Sequence, residues 1–99
     1  MTHFIKICGI TSKEDALMVE EEGADALGFI MHKQSHRYIE IEKVLDIIGG
    51  LKGELDIFLV FVNKKAEFVE NCLNEIPHAI PQFHGDEDPQ FCEKFNKDF

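Results

Sequence analysis

The chain has 99 residues, 44% hydrophobic and 29% charged, which suits one soluble domain, residues 1–99, with a modest core. Its formal net charge of −9 argues against nucleic acid or an anionic membrane as a main partner. No apolar run is long enough to span a bilayer and no signal-peptide pattern opens the chain, so we expect a cytoplasmic protein. Cys8, Cys72 and Cys92 form no CxxC pair, and we interpret them as reduced thiols.

Four apolar runs alternate with four helix-like segments. The runs, which predict strands, are Phe4–Cys8, Ala24–Met31, Asp56–Val62 and Ala79–Phe83. The helix signals are a possible capping box at Thr11 or Ser12, an end at Gly23, an end at Gly49-Gly50, a stop before Pro77 and an N-cap followed by proline in Asp88-Pro89. The last segment also aligns Phe91, Phe95 and Phe99 at helical spacing.

This alternation predicts an α/β fold of four βα units with parallel strands. If the strands follow one another in sequential order, right-handed crossovers place all helices on one side of the sheet. That arrangement is half of a (β/α)8 TIM barrel, whose usual length is roughly 250 residues. A flavodoxin-like sheet with helices on both faces is the alternative.

Cys8 lies at the C-terminal tip of the first run, where parallel α/β proteins concentrate their chemistry. Strand alternation puts Lys6 on the same face, whereas Ile5 and Ile7 should face the helices. Cys8 is therefore a candidate base or nucleophile. The alternative is a small buried hydrophobic residue, the usual role of a lone cysteine.

Polar groups also follow the second and fourth runs. Gln82 and His84 share one face, where they suit a polar ligand pocket, and His84 can exchange a proton near neutral pH. A histidine that only caps the sheet edge fits the spacing equally well. Arg37, the only arginine, can hold a carboxylate or phosphate bidentately, although a solvated surface arginine is the commoner outcome.

Other polar residues are interpreted structurally. Asn63 is expected to cap the helix after the third run, and the acidic residues 86–88 suit the N-terminus of the fourth helix. His32 and His36 have i, i+4 spacing without an HExxH pattern, so no metal site is expected. An acyl-transfer enzyme that uses Cys8 and His84 is a further alternative, but the sequence shows no sign of the oxyanion hole that such an enzyme needs.

Five segments together resemble the phosphoribosylanthranilate isomerase family, in family order and spacing. They are Lys6-Ile-Cys-Gly-Ile-Thr11, Gly23-Ala-Asp-Ala-Leu-Gly-Phe29, Ser35-His-Arg-Tyr38, Val60-Phe-Val-Asn63 and Gln82-Phe-His-Gly-Asp86. The resemblance implies the N-terminal half of a TIM barrel. It also implies the Amadori rearrangement of N-(5'-phosphoribosyl)anthranilate in tryptophan biosynthesis, an isomerase reaction that needs no cofactor.

The resemblance further implies roles for individual residues. Cys8 matches the general base, Arg37 matches an arginine that contacts the substrate at its anthranilate end, and Gln82 and His84 match pocket positions. The family's general acid follows a fifth strand, and its phosphate site lies after strands seven and eight. We therefore expect little activity from these four units without a complementing C-terminal half.

Two positions depart from the family pattern, and both affect this expectation. Proline is usual where His36 stands, and an aliphatic residue is usual where Pro81 stands. Proline within a strand removes a ladder hydrogen bond unless it lies at an edge.

The open inner face and the two unpaired edges of a four-strand half-barrel predict a homo-oligomer. The alternative to a half-enzyme is a non-catalytic, self-associating fragment or interaction module.

Overall fold

The computed structural model describes residues 4–95, in which strands and helices alternate strictly. The elements are β1 (Lys6–Cys8), α1 (Lys13–Glu21), β2 (Ala26–Ile30), α2 (Ile41–Gly49), β3 (Asp56–Phe61), α3 (Ala66–Glu75), β4 (Ile80–Phe83) and α4 (Pro89–Lys94). The predicted four βα units are confirmed. The strands are shorter than the apolar runs because the ends of the runs lie outside the ladders; Phe4 and Ile5, for example, are 62% and 45% exposed before β1.

The sheet has the sequential order β1-β2-β3-β4, and every neighbouring pair is parallel. This order excludes the flavodoxin-like alternative, in which the chain reverses direction across the sheet. Among the described residues, no helix combines the length and apolar character needed to cross a membrane.

The main core lies between the outer face of the sheet and the helices. Outward side chains of the central strands, such as Leu27, Phe29, Leu59 and Phe61, join one buried cluster with residues of all four helices. The helix members of that cluster are Ala16, Val44, Ile47, Val69, Cys72 and, just after α4, Phe95. One face of every strand packs into this core. Because side chains alternate along a strand, the other face forms the concave inner surface of the sheet.

Local sequence signals fix the helix ends as predicted. Ser12 is the N-cap of α1, and its side chain accepts a hydrogen bond from the Asp15 N–H at 3.1 Å. Asp88 is the N-cap of α4, with Pro89 in the first turn, and it accepts from the Phe91 N–H at 2.7 Å.

Three phenylalanine rings pack α4 and the residue after it against the outer face of the sheet. The Phe83 ring of β4 lies 5.5 Å from the Phe91 ring and 5.9 Å from the Phe95 ring, between centroids. Helical spacing brings Phe91 and Phe95 to the same side, as predicted. Phe99, the third member of the predicted stripe, lies outside the described residues.

Glu20 connects α1 to the segment that follows α2. Its two carboxylate oxygens accept the backbone N–H groups of Lys52 at 2.9 Å and Gly53 at 2.7 Å. These two hydrogen bonds favour the ionised form and hold the pKa of Glu20 below its usual value, with the Lys52 charge adding to the effect.

We expect Glu20→Gln to lower the free energy of unfolding at neutral pH, because it removes the charge from two hydrogen bonds. The pKa of Glu20 is lower in the folded chain than in the unfolded chain. Its stabilisation is therefore present above the unfolded-state pKa and is lost as the pH falls through the folded-state pKa. Urea unfolding at several pH values should show a wild-type advantage that shrinks on acidification. The exposed Glu70→Gln is the control, and a pH-independent difference for Glu20→Gln would contradict the assignment.

Candidate active site

The Cys8 thiol sits on the inner face of β1, directly beside β2. Cys8 pairs in register with Gly28, and a Cβ atom added at Gly28 would lie 2.7 Å from Cys8 Sγ and 3.2 Å from Cys8 Cα. Both distances are shorter than ordinary van der Waals contact. The thiol therefore occupies space that is free only because position 28 has no side chain.

Arg37 reaches the loop that follows Cys8. Gly9 has a φ of +86°, a conformation that favours glycine, and an added Cβ would lie 2.6 Å from Arg37 Cδ and Nη1. The arginine side chain thus crosses the backbone immediately after Cys8. Its own N–H donates to Ser35 Oγ at 3.1 Å, which fixes the turn that precedes it.

Gln82 is tied to β1 across the concave face. The Lys6 ammonium donates to Gln82 Oε1 and lies 4.3 Å from the centroid of the Phe58 ring. Lys6 and Gln82 are 76 positions apart in the chain. His84 lies just beyond β4 with an exposed side chain, and its backbone N–H donates to the Phe61 carbonyl at 2.9 Å.

The loops after β3 and β4 are joined by a second set of hydrogen bonds, here called the loop clamp. Asn63 Oδ1 accepts the Asp86 N–H at 2.6 Å. The Glu87 carboxylate accepts the N–H groups of Asn63 at 2.6 Å and Gly85 at 2.8 Å. The clamp links the two segments that lead into α3 and α4.

The predicted role of Asn63 as a helix cap is wrong. The N-cap of α3 is Lys65, and Asn63 instead adopts a φ of +50°, which asparagine tolerates better than most residues. The close approach also explains Gly85, where an added Cβ would lie 2.5 Å from Asn63 Oδ1. Among the acidic residues 86–88, Asp88 caps α4 as expected, whereas Glu87 belongs to the clamp.

The other two cysteines lie away from the inner face. Burial raises the pKa of the Cys72 thiol to about 11, with the charges of Glu42 and Glu75 adding to the shift. Cys72 therefore stays protonated and packs in the core. Cys92 is half-buried on α4, and all three thiols are free.

His32 and His36 are the histidines that sequence spacing singles out. Within residues 4–95, no three His, Cys, Asp or Glu side chains are placed to share a metal ion. His32 Nδ1 is buried without a hydrogen-bond partner in this part of the chain, and His36 is exposed in the following loop.

The predicted site residues thus lie near the carboxyl ends of β1 and β4 and in the loops that follow β2 and β4. A family model described as N-(5'phosphoribosyl)anthranilate (PRA) isomerase matches residues 5–99. The chain belongs to this family. The N-(5'-phosphoribosyl)anthranilate isomerase of Neisseria gonorrhoeae is 45% identical over 94 residues, which cover 95% of this chain and 45% of that protein. The Geobacter sulfurreducens enzyme of the same name is 45% identical over 89 residues and is covered to 44%. The chain spans less than half the length of these relatives.

Solved structures of the isomerase family show the same architecture. The Thermotoga maritima isomerase superposes with a TM-score of 0.89 at 37% identity, covering 95% of this chain and 46% of that one. The Thermus thermophilus isomerase gives a TM-score of 0.86 at 36% identity, and the match covers 94% of this chain and 48% of that one. A further isomerase structure is a complex with reduced 1-(o-carboxyphenylamino)-1-deoxyribulose 5-phosphate. It gives a TM-score of 0.89 at 37% identity, and the match covers 95% of this chain and 48% of that one. The four βα units correspond to about half of a TIM barrel.

We expect Gly28→Ala to lower the free energy of unfolding by about 1–3 kcal/mol, because the new methyl group overlaps Cys8 Sγ. In a Cys8→Ala background the same change should cost less, since the sulfur is gone. Chemical denaturation of the two single variants and the double variant measures this coupling.

Gly49→Ala is the matched control for this comparison of single and double variants. Gly49 ends α2 with nothing within 4 Å of an added Cβ, so alanine should be neutral or stabilising by up to about 1 kcal/mol. Equal costs for Gly28→Ala with and without the thiol would contradict the proposed packing.

Proposed function

We propose that this chain supplies the N-terminal half of a phosphoribosylanthranilate isomerase site, which works when four further βα units complete the barrel. The observation that carries the proposal is Cys8 at the carboxyl end of β1 with Arg37 lying across the loop that follows it. The reaction is the Amadori rearrangement of N-(5'-phosphoribosyl)anthranilate to the 1-deoxyribulose phosphate. Acid-catalysed opening of the ribose ring and the proton transfers that follow need no redox or group-transfer chemistry, so side chains can catalyse the reaction without a cofactor.

In this proposal Cys8 is the general base. Its thiolate removes the ribose C2' proton of the protonated Schiff-base intermediate. The electrons of that C–H bond form the C1'=C2' double bond and the C=N electrons return to nitrogen, which gives the enol that becomes the ketose. The thiol lies half-buried beside Gly28, where a substrate carbon can approach from the concave side. A base held in place in this way contributes typically 10²–10⁴-fold to a proton-transfer rate.

The other three site residues bind the substrate. Arg37 holds the anthranilate carboxylate, for which a planar guanidinium is well suited. Gln82, oriented by the Lys6 ammonium, and His84 line the pocket on the β4 side. The ligand named for one related isomerase structure carries both a carboxyl group and a phosphate, which supports an anion-binding role for Arg37.

The general acid and the phosphate site are proposed to come from a C-terminal half, whether joined to these residues or supplied as a separate chain. The curated relatives are more than twice as long as the segment that matches them, which supports this division. A base without its acid partner and without bound substrate gives little rate. We propose that residues 1–99 form one half-barrel unit that acts in the cytoplasm, with a phosphorylated small molecule as its substrate and neither nucleic acid nor membrane as a partner.

A second candidate function is a non-catalytic half-barrel that associates with itself. The Phe58 side chain is half-buried on the concave face. Within residues 4–95, β1 and β4 each pair with one neighbouring strand only. Edges and apolar faces of this kind favour association with another chain.

Turnover of freshly generated phosphoribosylanthranilate, followed by its fluorescence, tests the catalytic proposal. We expect activity when the chain is mixed with the strand-five-to-eight half of a related isomerase, and a loss of about 10²–10⁴-fold with Cys8→Ala. Cys92→Ala, which removes a thiol on α4, should leave the rate unchanged. Full activity of the Cys8→Ala mixture would exclude Cys8 as the base, and no activity in any mixture would favour the non-catalytic alternative.

Sedimentation tests the predicted self-association. We expect residues 1–99 on their own to form a homodimer or larger assembly at micromolar concentration, because within residues 4–95 β1 and β4 each have one edge without a neighbouring strand. A compact monomer that unfolds cooperatively and shows no concentration dependence would contradict this expectation.

A further inference from the structure

The turn that follows Cys8 is held against β2 by two hydrogen bonds to one carbonyl group. The Gly9 N–H donates to the Gly28 carbonyl at 2.9 Å, and the Ile10 N–H donates to the same oxygen at 3.2 Å. The backbone at position 9 cannot move away from a neighbouring group without losing these bonds. A side chain that lies against Gly9 therefore meets a fixed surface.

The side chain that lies against this surface is that of Arg37. The three atoms nearest to an added Cβ at Gly9 are Cδ, Nη1 and Nε of Arg37, at 2.6, 2.6 and 2.8 Å. All three are shorter than ordinary van der Waals contact. The outer half of the arginine side chain thus occupies the space that a methyl group at position 9 would need.

The backbone that carries Arg37 is fixed as well. The Arg37 N–H donates to Ser35 Oγ at 3.1 Å, and the Tyr38 N–H donates to the Ser35 carbonyl at 3.2 Å. Tyr38 also forms a parallel bridge with Ile30 at the end of β2. Because both backbones are held, a group added at position 9 would displace the arginine by a change of rotamer and would leave the turn in place.

We propose that Gly9 is a positioning residue, whose missing side chain provides the seat that holds the Arg37 guanidinium across the turn after Cys8. Glycine is then needed at this position for two separate reasons, the φ of +86° and the seat. The consequence for catalysis rests on the proposed function. Since the seat directly follows Cys8, it sets where the carboxylate bound by Arg37 lies relative to the thiol that removes the proton.

Gly23 allows the two reasons to be separated. It has a φ of +96°, close to that of Gly9, but nothing lies within 4 Å of an added Cβ. Gly9→Ala and Gly23→Ala should therefore strain the backbone to a similar extent. Only Gly9→Ala should disturb the arginine.

The mobility of the Arg37 side chain tests the seat in the chain itself. Arg37 is the only arginine, so its Nε–H group gives a single side-chain signal in a proton–nitrogen correlation spectrum. We expect this group to be ordered on the ps–ns timescale in the wild type, with a nuclear Overhauser contact to the Gly9 Hα protons. Gly9→Ala should make it mobile, whereas Gly23→Ala should leave it ordered. A mobile Nε–H in the wild type, or an equally ordered one in Gly9→Ala, would overturn the proposal.

Turnover by the chain mixed with a C-terminal half tests what the seat does for binding. Arg37→Ala should raise KM by about 10- to 100-fold, the usual effect of losing a charge-assisted hydrogen bond. Gly9→Ala should also raise KM, but it should have no further effect in the Arg37→Ala background, where no side chain is left to displace. Gly23→Ala should leave KM unchanged.

The double variant also distinguishes failure of the seat from failure of the proposed function. If the effects of Gly9→Ala and Arg37→Ala on KM are independent, the seat is overturned, because Gly9 then acts through Cys8 or through backbone strain. If Arg37→Ala leaves KM unchanged, the proposed substrate contact of Arg37 is wrong, and the mobility of its Nε–H still decides whether Gly9 holds the side chain.

Discussion

Burial of one face of a parallel sheet beneath four helices is the constraint on which the rest of this structure depends. The outward side chains of β2 and β3 form a single core with all four helices, and no strand can rotate without exposing them. Since side chains alternate along a strand, this packing also determines which residues reach the concave face. Cys8 and Gln82 lie on that face because their neighbours Ile7 and Phe83 pack toward the core.

Much of this architecture can be predicted from the sequence because its signals are local. Apolar runs, the Ser12 and Asp88 caps and the stop before Pro77 act within a few residues, and they gave correct elements with strand ends off by one or two positions. Alternation also placed Lys6 and Cys8 on one face correctly. The sequential strand order needed the structure, because a flavodoxin-like order has the same local pattern.

The interactions that local patterns could not reveal are those between distant segments. Lys6 and Gln82 bond across 76 positions, and the loop clamp of Asn63 and Glu87 joins the ends of two different strands. Asparagine after a strand is usually a helix cap, so its actual contact depends on a neighbouring loop that sequence spacing does not place. The need for glycine at position 28 likewise follows from register, which sets Cys8 beside it. The chemical roles of Cys8, Arg37, Gln82 and His84 stay predictions.

The loop clamp has a consequence for the thermodynamics of ligand capture. Two backbone-to-side-chain hydrogen bonds of 2.6 Å tie the β3 and β4 loops together, and a third, of 2.8 Å, lies within the β4 loop. This side of the site is therefore held in place by the chain itself. Arg37, by contrast, has an exposed side chain that lies over Gly9. Fixing such a long side chain in place costs about 0.5–1.5 kcal/mol on binding. The entropy lost when a ligand binds is therefore expected to come mainly from Arg37, whereas the backbone of the β3 and β4 loops is already held by the loop clamp.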